Sequence, residues 1–320
     1  MDLTPEKIEF AAQTIRSGGL VAFPTETVYG LGGDATNAVA VARIFEVKRR
    51  PSFDPLIVHI SDYGMLDRVA SEIPPIARSL AEAFWPGPLT MILPKTDLIP
   101  GIVTSGLDTV GVRIPDHPIA RDLITFSRTP IAAPSANRFG RLSPTRAEHV
   151  RHQLGDSVDV ILDGGKTHHG VESTIVAFDK GVTLLRHGAI PIETLSAIAP
   201  EIEERKVDPE RPLAPGGLAG HYAPSTRLKI TDPSSISKKD RQGAACLCFS
   251  SRSEGFDSIE VLAPSGDIVE AAARLFDCLH RLDDSDPRII FAEPVPEIGL
   301  GRAIMDRLRR AEAGSAEPPG

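Results

Sequence analysis

Six short clusters of polar residues stand where hydrophobic runs of the chain end, and their side chains are of the types that bind phosphate and carboxylate groups. Four of these side chains are cationic, at Lys48, Arg50, Arg113 and Arg186. The clusters together also supply many short hydroxyl and amide side chains. Arginine and lysine bind phosphates and carboxylates through charge-assisted hydrogen bonds. The clusters together therefore predict a site for a ligand that carries phosphates and a carboxylate.

Arg113 is the cation that most clearly requires a partner. It lies between Val112 and Ile114 in a predicted core strand. A guanidinium that is buried without a partner is costly in free energy. We therefore expect an anionic partner, which is either a buried protein carboxylate or a ligand.

Taken one at a time, several clusters also fit ordinary structural roles. Residues 24–30, PTETVYG, fit a turn with local hydroxyl hydrogen bonds. Residues 48–50 fit a solvated helix end that is stabilised by the helix dipole. Ser143 fits a helix N-cap. The chemistry is indicated by the clusters as a set rather than by any one of them.

Two glycine-containing patterns resemble phosphate-binding loops, but each lacks a required part. Residues 30–35, GLGGDA, fit the loose dinucleotide fingerprint, with Asp54 at a suitable distance downstream. The residues before them are polar and broken by proline where that fingerprint follows a buried strand, so a nicotinamide-dependent dehydrogenase is a minor alternative. Residues 165–167, GKT, end like a Walker A loop, but Val160 stands where its first glycine is needed.

Apolar periodicity predicts a mixed α/β architecture for about the first 200 residues. Helices are expected at residues 5–17, 37–48, 74–84, 118–127 and 144–154. Strands are expected at residues 20–24, 56–60, 89–93, 109–114, 131–133, 158–162, 173–178 and 182–185. Interleaving of this kind favours a twisted mixed sheet with flanking helices.

A polar segment rich in proline and glycine precedes a second, smaller α/β unit. Strands are expected there at residues 227–230, 244–249, 259–262 and 288–291, and helices at 267–282 and 298–310. This pattern favours a small Rossmann-like, doubly wound domain. The predicted organisation is a catalytic domain at 1–205, a linker and possible lid at 206–225, an α/β C-terminal domain at 226–312 and a disordered tail at 313–320.

The bulk composition is that of an ordinary globular protein. The 320 residues are 41% hydrophobic and 24% charged, which is enough for more than one core. The formal net charge of -8 disfavours a protein whose main task is to wrap a nucleic-acid backbone. The chain shows neither a signal-peptide pattern nor an apolar run that would span a bilayer, so we expect a cytoplasmic protein. Cys246, Cys248 and Cys278 lack the paired spacing of a zinc site and are expected to be core thiols.

The motifs also resemble a known family. The strings PTETVYGLG, VKRRPSFDPLIVH, VGVRIP, APSANRFGRLSPT, ESTIV and LLRHGAI occur in this order and resemble the YrdC-type domain of threonylcarbamoyl-AMP synthases, over roughly residues 3–200. The segments APGGLAGHYAP and EIGLGRAIMDRLRRA resemble the long, two-domain form. The resemblance implies a YrdC-like fold for the catalytic domain.

The resemblance implies a nucleotidyltransferase reaction. L-Threonine, bicarbonate or CO2, and ATP would give threonylcarbamoyl-AMP and pyrophosphate, the first step in forming threonylcarbamoyladenosine beside the anticodon of tRNA. ATP would be a substrate, with Mg2+ held mainly by its phosphates and no protein metal ligand assigned. A downstream threonylcarbamoyl transferase is the implied partner, without stable nucleic-acid binding or membrane association by this chain.

The resemblance also assigns roles to residues. Lys48 and Arg50 would be catalytic. The ATP-binding set would be Lys48, Arg50, Asp54, Thr109, Asn137, Ser143, Arg186 and Tyr222. The threonine-binding set would be Thr25, Thr27, His59, Arg113, Ser135 and Ser173, with Arg113 pairing the threonine carboxylate and Ser135 facing either substrate. Asp54 departs from the asparagine expected there, and Ala219 and Gly220 replace basic residues of some relatives.

The chain shows no Ser-His-Asp or Cys-His set, and the implied reaction needs no covalent protein nucleophile. The short-lived carbamate intermediate would benefit from a closed site, so we expect residues 214–224 to act as a lid. Carbamoyl transfer, as in hydrogenase-maturation proteins, and a non-enzymatic RNA-binding module remain the alternatives. The former carry cysteine pairs and an acylphosphatase module, for which this chain has neither the cysteines nor the length.

Overall fold

The computed structural model describes residues 4–205, 214–216 and 220–315. Within them, the helices are α1 (Pro5–Arg16), α2 (Ala38–Lys48), α3 (Tyr63–Val69), α4 (Pro75–Phe84), α5 (Pro118–Ser127), α6 (Ala147–Leu154), α7 (Ile192–Ser196), α8 (Lys238–Arg241), α9 (Ile268–Asp284) and α10 (Gly301–Ser315). The strands are β1 (Val21–Pro24), β2 (Tyr29–Asp34), β3 (Ile57–His59), β4 (Leu89–Pro94), β5 (Thr109–Arg113), β6 (Ile131–Ala132), β7 (Val160–Ile161), β8 (Thr174–Phe178), β9 (Val182–Arg186), β10 (Glu203–Glu204), β11 (Leu228–Ile230), β12 (Ala244–Cys248), β13 (Ser258–Val261) and β14 (Ile289–Ala292).

The larger sheet is mixed, as the interleaved pattern predicts. Its ten described strands run in the order β10-β9-β8-β4-β5-β3-β6-β2-β1-β7. β3 pairs in parallel with β5 and β4 in parallel with β8, whereas β4 and β5 are antiparallel. The carboxyl ends of β3, β5 and β9 and the start of β8 consequently meet at one edge of the sheet. Side chains that follow or end these strands are brought close together there.

Strand β2 is the main element that periodicity misses. Its sequence YGLGGD has three glycines, which disfavour a strand, yet it lies between β1 and β6 with Tyr29 to Gly33 buried. A Cβ atom at Gly32 would lie 2.7 Å from side-chain atoms of both Phe23 and Ile131. The glycines therefore permit close packing inside the sheet, and the dinucleotide-loop alternative is excluded for this segment.

The second domain has the predicted doubly wound form. Its four strands are parallel, in the order β11-β14-β12-β13, and α9 and α10 pack against the sheet. Cys246, Cys248 and Cys278 are buried free thiols. Residues 313–315 of the predicted tail continue α10, and residues 316–320 lie outside the described residues, as do 206–213 and 217–219 of the predicted linker. No helix in the described ranges is long and apolar enough to cross a membrane.

The two domains share one buried apolar cluster, in which Val28, Leu142 and Val171 of the first pack with the second. A polar network lies beside it. The buried carboxylate of Asp277 in α9 accepts from Arg146 Nε at 2.9 Å and forms an ion pair with Lys166 at 3.2 Å. The contacts join the domains through both apolar packing and charge.

A stacked histidine pair also crosses this interface. The rings of His149 in α6 and His280 in α9 lie 3.8 Å apart, and the Nδ1 atom of His149 accepts from the Thr145 amide at 3.3 Å. Burial, followed by the charge of His280, lowers the pKa of His149 from 6.5 to about 3. Asp277, Arg146 and Arg281 face the same ring. The folded protein therefore holds His149 neutral.

We predict that His149→Asn makes the protein less sensitive to acid. The pKa of His149 is lower in the folded chain, so the unfolded chain binds more protons below pH 6.5 and folding is weakened as the pH falls toward about 3. Between about pH 7.5 and about pH 5 this residue alone should reduce the free energy of unfolding by about 2 kcal/mol. Denaturant unfolding at both pH values should show that loss in the wild type and not in the variant. Equal losses would show that folding does not lower the pKa of His149.

Candidate active site

A cleft at the edge where the strand ends meet brings together most of the predicted site residues. Thr25, Thr27, Arg50, His59, Arg113, Ser135, Ser173, Arg186 and Tyr222 all line it. Glu172, Pro215, Gly216 and His221 also line it and were not predicted as site residues. The cleft thus has three arginines among short hydroxyl side chains.

Arg113, at the end of β5, has a protein carboxylate as its partner. Its Nη2 atom lies 2.5 Å from Oε1 of Glu26, and both side chains are 4% exposed. Its Nη1 atom donates to Oγ1 of Thr27 at 3.0 Å, and its Nε atom donates to the Gly87 carbonyl at 3.2 Å. Glu26 Oε2 accepts from the Asp116 amide at 3.0 Å. A buried protein carboxylate, one of the two partners expected for Arg113, is therefore present. The guanidinium is held rigidly at the wall of the cleft.

The turn that carries Glu26 is also internally bonded. Thr25 and Thr27 share a 2.8 Å hydroxyl–hydroxyl hydrogen bond, and the Thr25 hydroxyl donates to the Val28 carbonyl at 2.7 Å. Local hydroxyl hydrogen bonding, the structural role expected for this cluster, is present. Both threonines also line the cleft, so the side chains that fix the turn face the same cavity as the arginines.

Lys48, the last residue of α2, lies behind the cleft wall rather than on it. Its ammonium donates to the carbonyls of Ser135, at 2.6 Å, and Asn137. Burial, followed by the charge of Arg50, lowers the pKa of Lys48 well below its ordinary value. Phe139 donates its amide to the Lys48 carbonyl at 2.8 Å. Lys48 therefore fastens the loop after β6 to the end of α2.

Arg50 and Asp54 form a buried ion pair in the loop that follows. Arg50 Nη2 lies 2.8 Å from Asp54 Oδ2, although neither carboxylate oxygen has a well-aligned donor among the described residues. Arg50 also donates to the carbonyls of Asp54 and Pro55. Burial raises the pKa of Asp54, and the charge of Arg50 opposes that shift. The charge of Asp54 is thus balanced by Arg50.

Arg186, at the end of β9, spans the opposite wall. Its Nε and Nη2 atoms donate to the Ser173 carbonyl at 3.1 and 2.9 Å, and Nη2 also donates to the Ser173 hydroxyl at 3.0 Å. Nη1 donates to the Pro215 carbonyl at 3.1 Å, so Arg186 connects Ser173, the residue before β8, to residues 214–216. Burial lowers the pKa of Arg186.

Ser143 and Asn137 are buried next to the lining residues. The Ser143 hydroxyl donates to Oε1 of Glu172 at 2.6 Å. Helix α6 is capped at Arg146, so the N-cap role expected for Ser143 is wrong. Asn137 donates to the carbonyls of Arg138 and Arg141. Both side chains act here by fixing the loops that form the cleft.

Thr109 lies farther away. It begins β5, whereas Arg113 ends that strand, so the two are roughly 13 Å apart at the usual rise per residue. Alternation along the strand places both on the same face of the sheet. Thr109 is not among the described residues that line the cleft, so only a ligand that extends along this face would reach it.

Two histidines in the cleft are held neutral. Burial, followed by the charge of Arg113, lowers the pKa of His59 to about 3. Burial, followed by the charges of Arg50 and Lys48, lowers the pKa of His221 well below its ordinary value. The Nδ1 atoms of both rings are buried and have no hydrogen-bond partner among the described residues. Each ring can therefore exchange a hydrogen bond with a ligand without carrying charge.

Comparisons with known proteins cover both halves of the chain. The Sua5, YciO and YrdC family model, described as "Telomere recombination", matches residues 13–188. The model described as "Threonylcarbamoyl-AMP synthase, C-terminal domain" matches residues 190–313. The chain belongs to the threonylcarbamoyl-AMP synthase family. The similarity to that family rests on both domains, in the order that the motifs predict.

Relatives of the family match nearly full length. The threonylcarbamoyl-AMP synthase of Pyrococcus abyssi is 44% identical over 323 residues, covering 95% of this chain and 94% of that protein. The synthase of Bacillus subtilis is 42% identical, covering 96% of this chain and 93% of that protein. The crystal structure of P. abyssi Sua5 complexed with L-threonine superposes with a TM-score of 0.91 at 40% identity, covering 98% of this chain and 96% of that one.

Proposed function

We propose that the cleft is where this chain makes threonylcarbamoyl-AMP and pyrophosphate from L-threonine, bicarbonate or CO2, and ATP, as a nucleotidyltransferase of the family. The observation that carries the proposal is the convergence of Arg50, Arg113 and Arg186 on one cleft, with neutral hydroxyl and imidazole groups between them. Three cations match a ligand that combines a carboxylate with phosphates. Full-length similarity to synthases of this name supports the same reaction.

The threonine half of the site would lie around Arg113. This guanidinium is fixed by Glu26 and Thr27, so it can meet a substrate carboxylate without reorganising. Thr25, Thr27, His59, Ser135 and Ser173 are the remaining candidates for the amino-acid side. The neutral His59 ring suits a hydroxyl group, because its unpartnered Nδ1 atom can accept a hydrogen bond. The complex of P. abyssi Sua5 with L-threonine supports threonine as a ligand of this fold.

The ATP half would lie around Arg50 and Arg186. Lys48, Asp54, Thr109, Asn137, Ser143 and Tyr222 complete the proposed set. The structure suggests that Lys48, Asn137 and Ser143 act by holding loops, since their polar groups already bond to the backbone or to Glu172. Thr109 would be reached by the part of the nucleotide that lies along the sheet face.

Magnesium would enter with ATP. The carboxylates at the cleft are Glu26, Asp54 and Glu172, and each forms an ion pair with an arginine. The described residues also contain no group of three or more metal-binding side chains. Phosphate oxygens are the usual main ligands of Mg2+ in such sites. Mg2+ would supply charge neutralisation at the phosphates.

The threonine half, the ATP half and Mg2+ together would support the following reaction. The threonine amine and bicarbonate form a carbamate with loss of water, and an oxygen of the carbamate then bonds to the α-phosphorus of ATP as the bond to the pyrophosphate oxygen breaks. Arg50 and Arg186 would stabilise the charge that develops at phosphorus, and Arg113 would hold the carbamate in line. The buried neutral histidines and closely packed walls would limit access of water to the intermediate.

The product determines the kind of partner. Threonylcarbamoyl-AMP is an activated acyl adenylate, so it requires a transferase that delivers the threonylcarbamoyl group to tRNA. We infer that this transferase works beside the synthase in the cytoplasm. The net charge of -8 supports a role in supplying the adenylate rather than in binding the tRNA.

We also propose that the described parts of the expected lid, residues 214–216 and 220–224, close the ATP side, because Pro215, Gly216, His221 and Tyr222 line the cleft. Gly216 has φ +87, and a Cβ atom there would lie 2.8 Å from the Tyr222 hydroxyl and 3.2 Å from Arg186 Nη1. The glycine permits the segment to lie directly against both side chains.

Gly216→Ala is predicted to reduce kcat/KM for ATP by about tenfold, since the backbone strain and the contact with Tyr222 together disfavour the closed arrangement by about 1 to 2 kcal/mol. Gly266→Ala is the matched control. Gly266 has φ +77, but no atom lies within 4 Å of its Cβ position. Steady-state kinetics on both variants would check this, and equal effects would show that closure at residue 216 is unimportant.

The test of the proposed function is pyrophosphate release from ATP and Mg2+, measured with and without threonine and with and without bicarbonate. Release that requires both is the expected result, with threonylcarbamoyl-AMP as the accompanying product. ATP consumption that ignores threonine would favour carbamoyl transfer. Salt-sensitive RNA binding without ATP consumption would favour the non-enzymatic alternative.

A further inference from the structure

The second domain places one fully buried arginine, Arg307 of α10, against the cleft wall. Its side chain is 0% exposed, and its Nε atom donates to Glu172 Oε2 at 2.8 Å. Its Nη2 atom donates to the His187 carbonyl at 2.9 Å, and Nη1 donates to Asp306 at 2.6 Å. The guanidinium carbon lies 5.1 Å from the centre of the Tyr222 ring. One side chain thus bonds or stacks on four groups.

Three of these groups belong to the cleft or adjoin it. Glu172 and Tyr222 line the cleft, and His187 directly follows the lining residue Arg186. The Arg307 contacts therefore reach the carboxylate, the phenol and the end of β9 on the same side of the site. The opposite side does not depend on α10, because Arg113 has its own partner in Glu26.

The contact between Glu172 and Arg307 is a buried ion pair, so each charge needs the other. Both members of the pair are buried, and a buried carboxylate that loses the guanidinium paired with it is strongly destabilised. Ser143 occupies the other oxygen of Glu172, at 2.6 Å. The carboxylate is consequently held in one orientation by the second domain on one side and by the first domain on the other.

Backbone packing supports the same arrangement. Gly170 has φ +67, and a Cβ atom there would lie 2.5 Å from the Ala272 carbonyl oxygen of α9. The segment that leads into Glu172 and Ser173 is therefore pressed against α9 at residue 170 and bonded to α10 at residue 172. Both long helices of the second domain act on this one segment.

We propose that Arg307 is a positioning residue for the ATP half of the cleft, acting through Glu172 and Tyr222, so that catalysis in the first domain depends on the second. The inference rests on the proposed function and gives the C-terminal domain a part in it. ATP handling should fail when Arg307 is lost, while threonine binding around Arg113 should persist.

The test compares Arg307→Met with the wild-type full-length chain. Kinetics give kcat and KM for ATP, and calorimetry with L-threonine alone gives its Kd. We expect kcat/KM for ATP to fall by at least about 30-fold, with the threonine Kd within about twofold of the wild type. Arg307→Lys should recover part of the activity, because an ammonium retains the charge but lacks the planar fork.

Arg146→Met is the matched control, since it also breaks an ion pair between the domains, with Asp277, without touching a lining residue. It should stay within about threefold of the wild type in kcat/KM. Equal effects of the two Arg-to-Met substitutions, or equal losses of ATP use and threonine affinity, would overturn the inference. A wild-type chain that binds threonine but releases no pyrophosphate would contradict the proposed function instead.

Glu172→Gln combined with Arg307→Met covers the case in which the single variant does not fold. The double variant carries no buried unpaired charge, so it should fold with a melting temperature near that of the wild type. ATP use should still be reduced by at least about tenfold, because the bonds that orient residue 172 and Tyr222 are absent. Full recovery of kcat/KM would show that the charge pair only stabilises the interface, and the inference would fail.

Discussion

Arg113→Met should abolish threonine-dependent pyrophosphate release, with a loss of at least about 1000-fold in kcat/KM for threonine. The guanidinium is the proposed anchor of the threonine carboxylate, and it also holds Thr27 in the cleft. The substitution leaves the Glu26 carboxylate buried without its cation, which should lower the free energy of unfolding by about 3 to 5 kcal/mol. Kinetics with varied threonine and denaturant unfolding would measure the two effects.

The double variant Glu26→Gln/Arg113→Met separates the effect on activity from the effect on stability. Removing both charges should restore most of the stability, because no unpaired charge remains, but activity should stay absent. Arg151→Met is the control for loss of an arginine, since Arg151 and Asp163 form an ion pair with side chains that are 54% and 49% exposed. That control should change stability by no more than about 1 kcal/mol. Restored activity in the double variant would remove Arg113 from the threonine site.

Lys48→Met should lower turnover by about 100-fold. Methionine is similar in length but donates no hydrogen bond, so the carbonyls of Ser135 and Asn137 would be left buried and unpaired. The loop after β6, which carries the lining residue Ser135, would lose its attachment to α2. Unsatisfied carbonyls should also destabilise the fold by about 1 to 3 kcal/mol each. Turnover at saturating substrates and thermal unfolding would test both expectations.

Lys180→Met, at an exposed position in the turn between β8 and β9, is the matched control and should behave like the wild type. A lysine that binds phosphate and a lysine that holds the loop predict different effects when Lys48 is replaced. A lysine that contacts phosphate directly would, when lost, raise KM for ATP and leave the loop in place. A lysine that holds the loop should also change proteolysis or hydrogen exchange around residues 135–139. A change confined to KM would contradict the loop-holding role.

The sheet and the second domain were predictable because their strands are apolar and separated by clear helical periodicity. β2 was missed because its glycines contradict strand propensity, and only the packing of Phe23 and Ile131 explains why glycine is needed there. Helix α3 (Tyr63–Val69) was missed as well, since seven residues are too few for a clear period. Local sequence patterns carry no direct information on packing between segments that are distant in the chain.

The cleft residues were predictable at the ends of strands, where polar side chains interrupt apolar runs. The partners of these residues could not be predicted from the sequence. Arg113 was expected to have either a carboxylate or a ligand beside it, and Glu26, 87 positions earlier, could be chosen only from the fold. Arg307 did leave a signal, because it shares the buried face of α10 with Ile304 and Leu308, where an arginine requires a partner. That partner, Glu172, lies 135 positions away.

The separation of these residues along the chain also bears on biosynthesis. The walls of the cleft come from segments between Thr25 and Tyr222, and Arg307, in the middle of α10, completes the network. At ordinary translation rates of about 5 to 20 residues per second, roughly 15 to 60 s pass between synthesis of the first wall and of Arg307. A nascent or prematurely terminated chain lacks part of the site throughout that time. With the positioning role that we propose for Arg307, ATP consumption by this chain begins only after residue 307 has been synthesised.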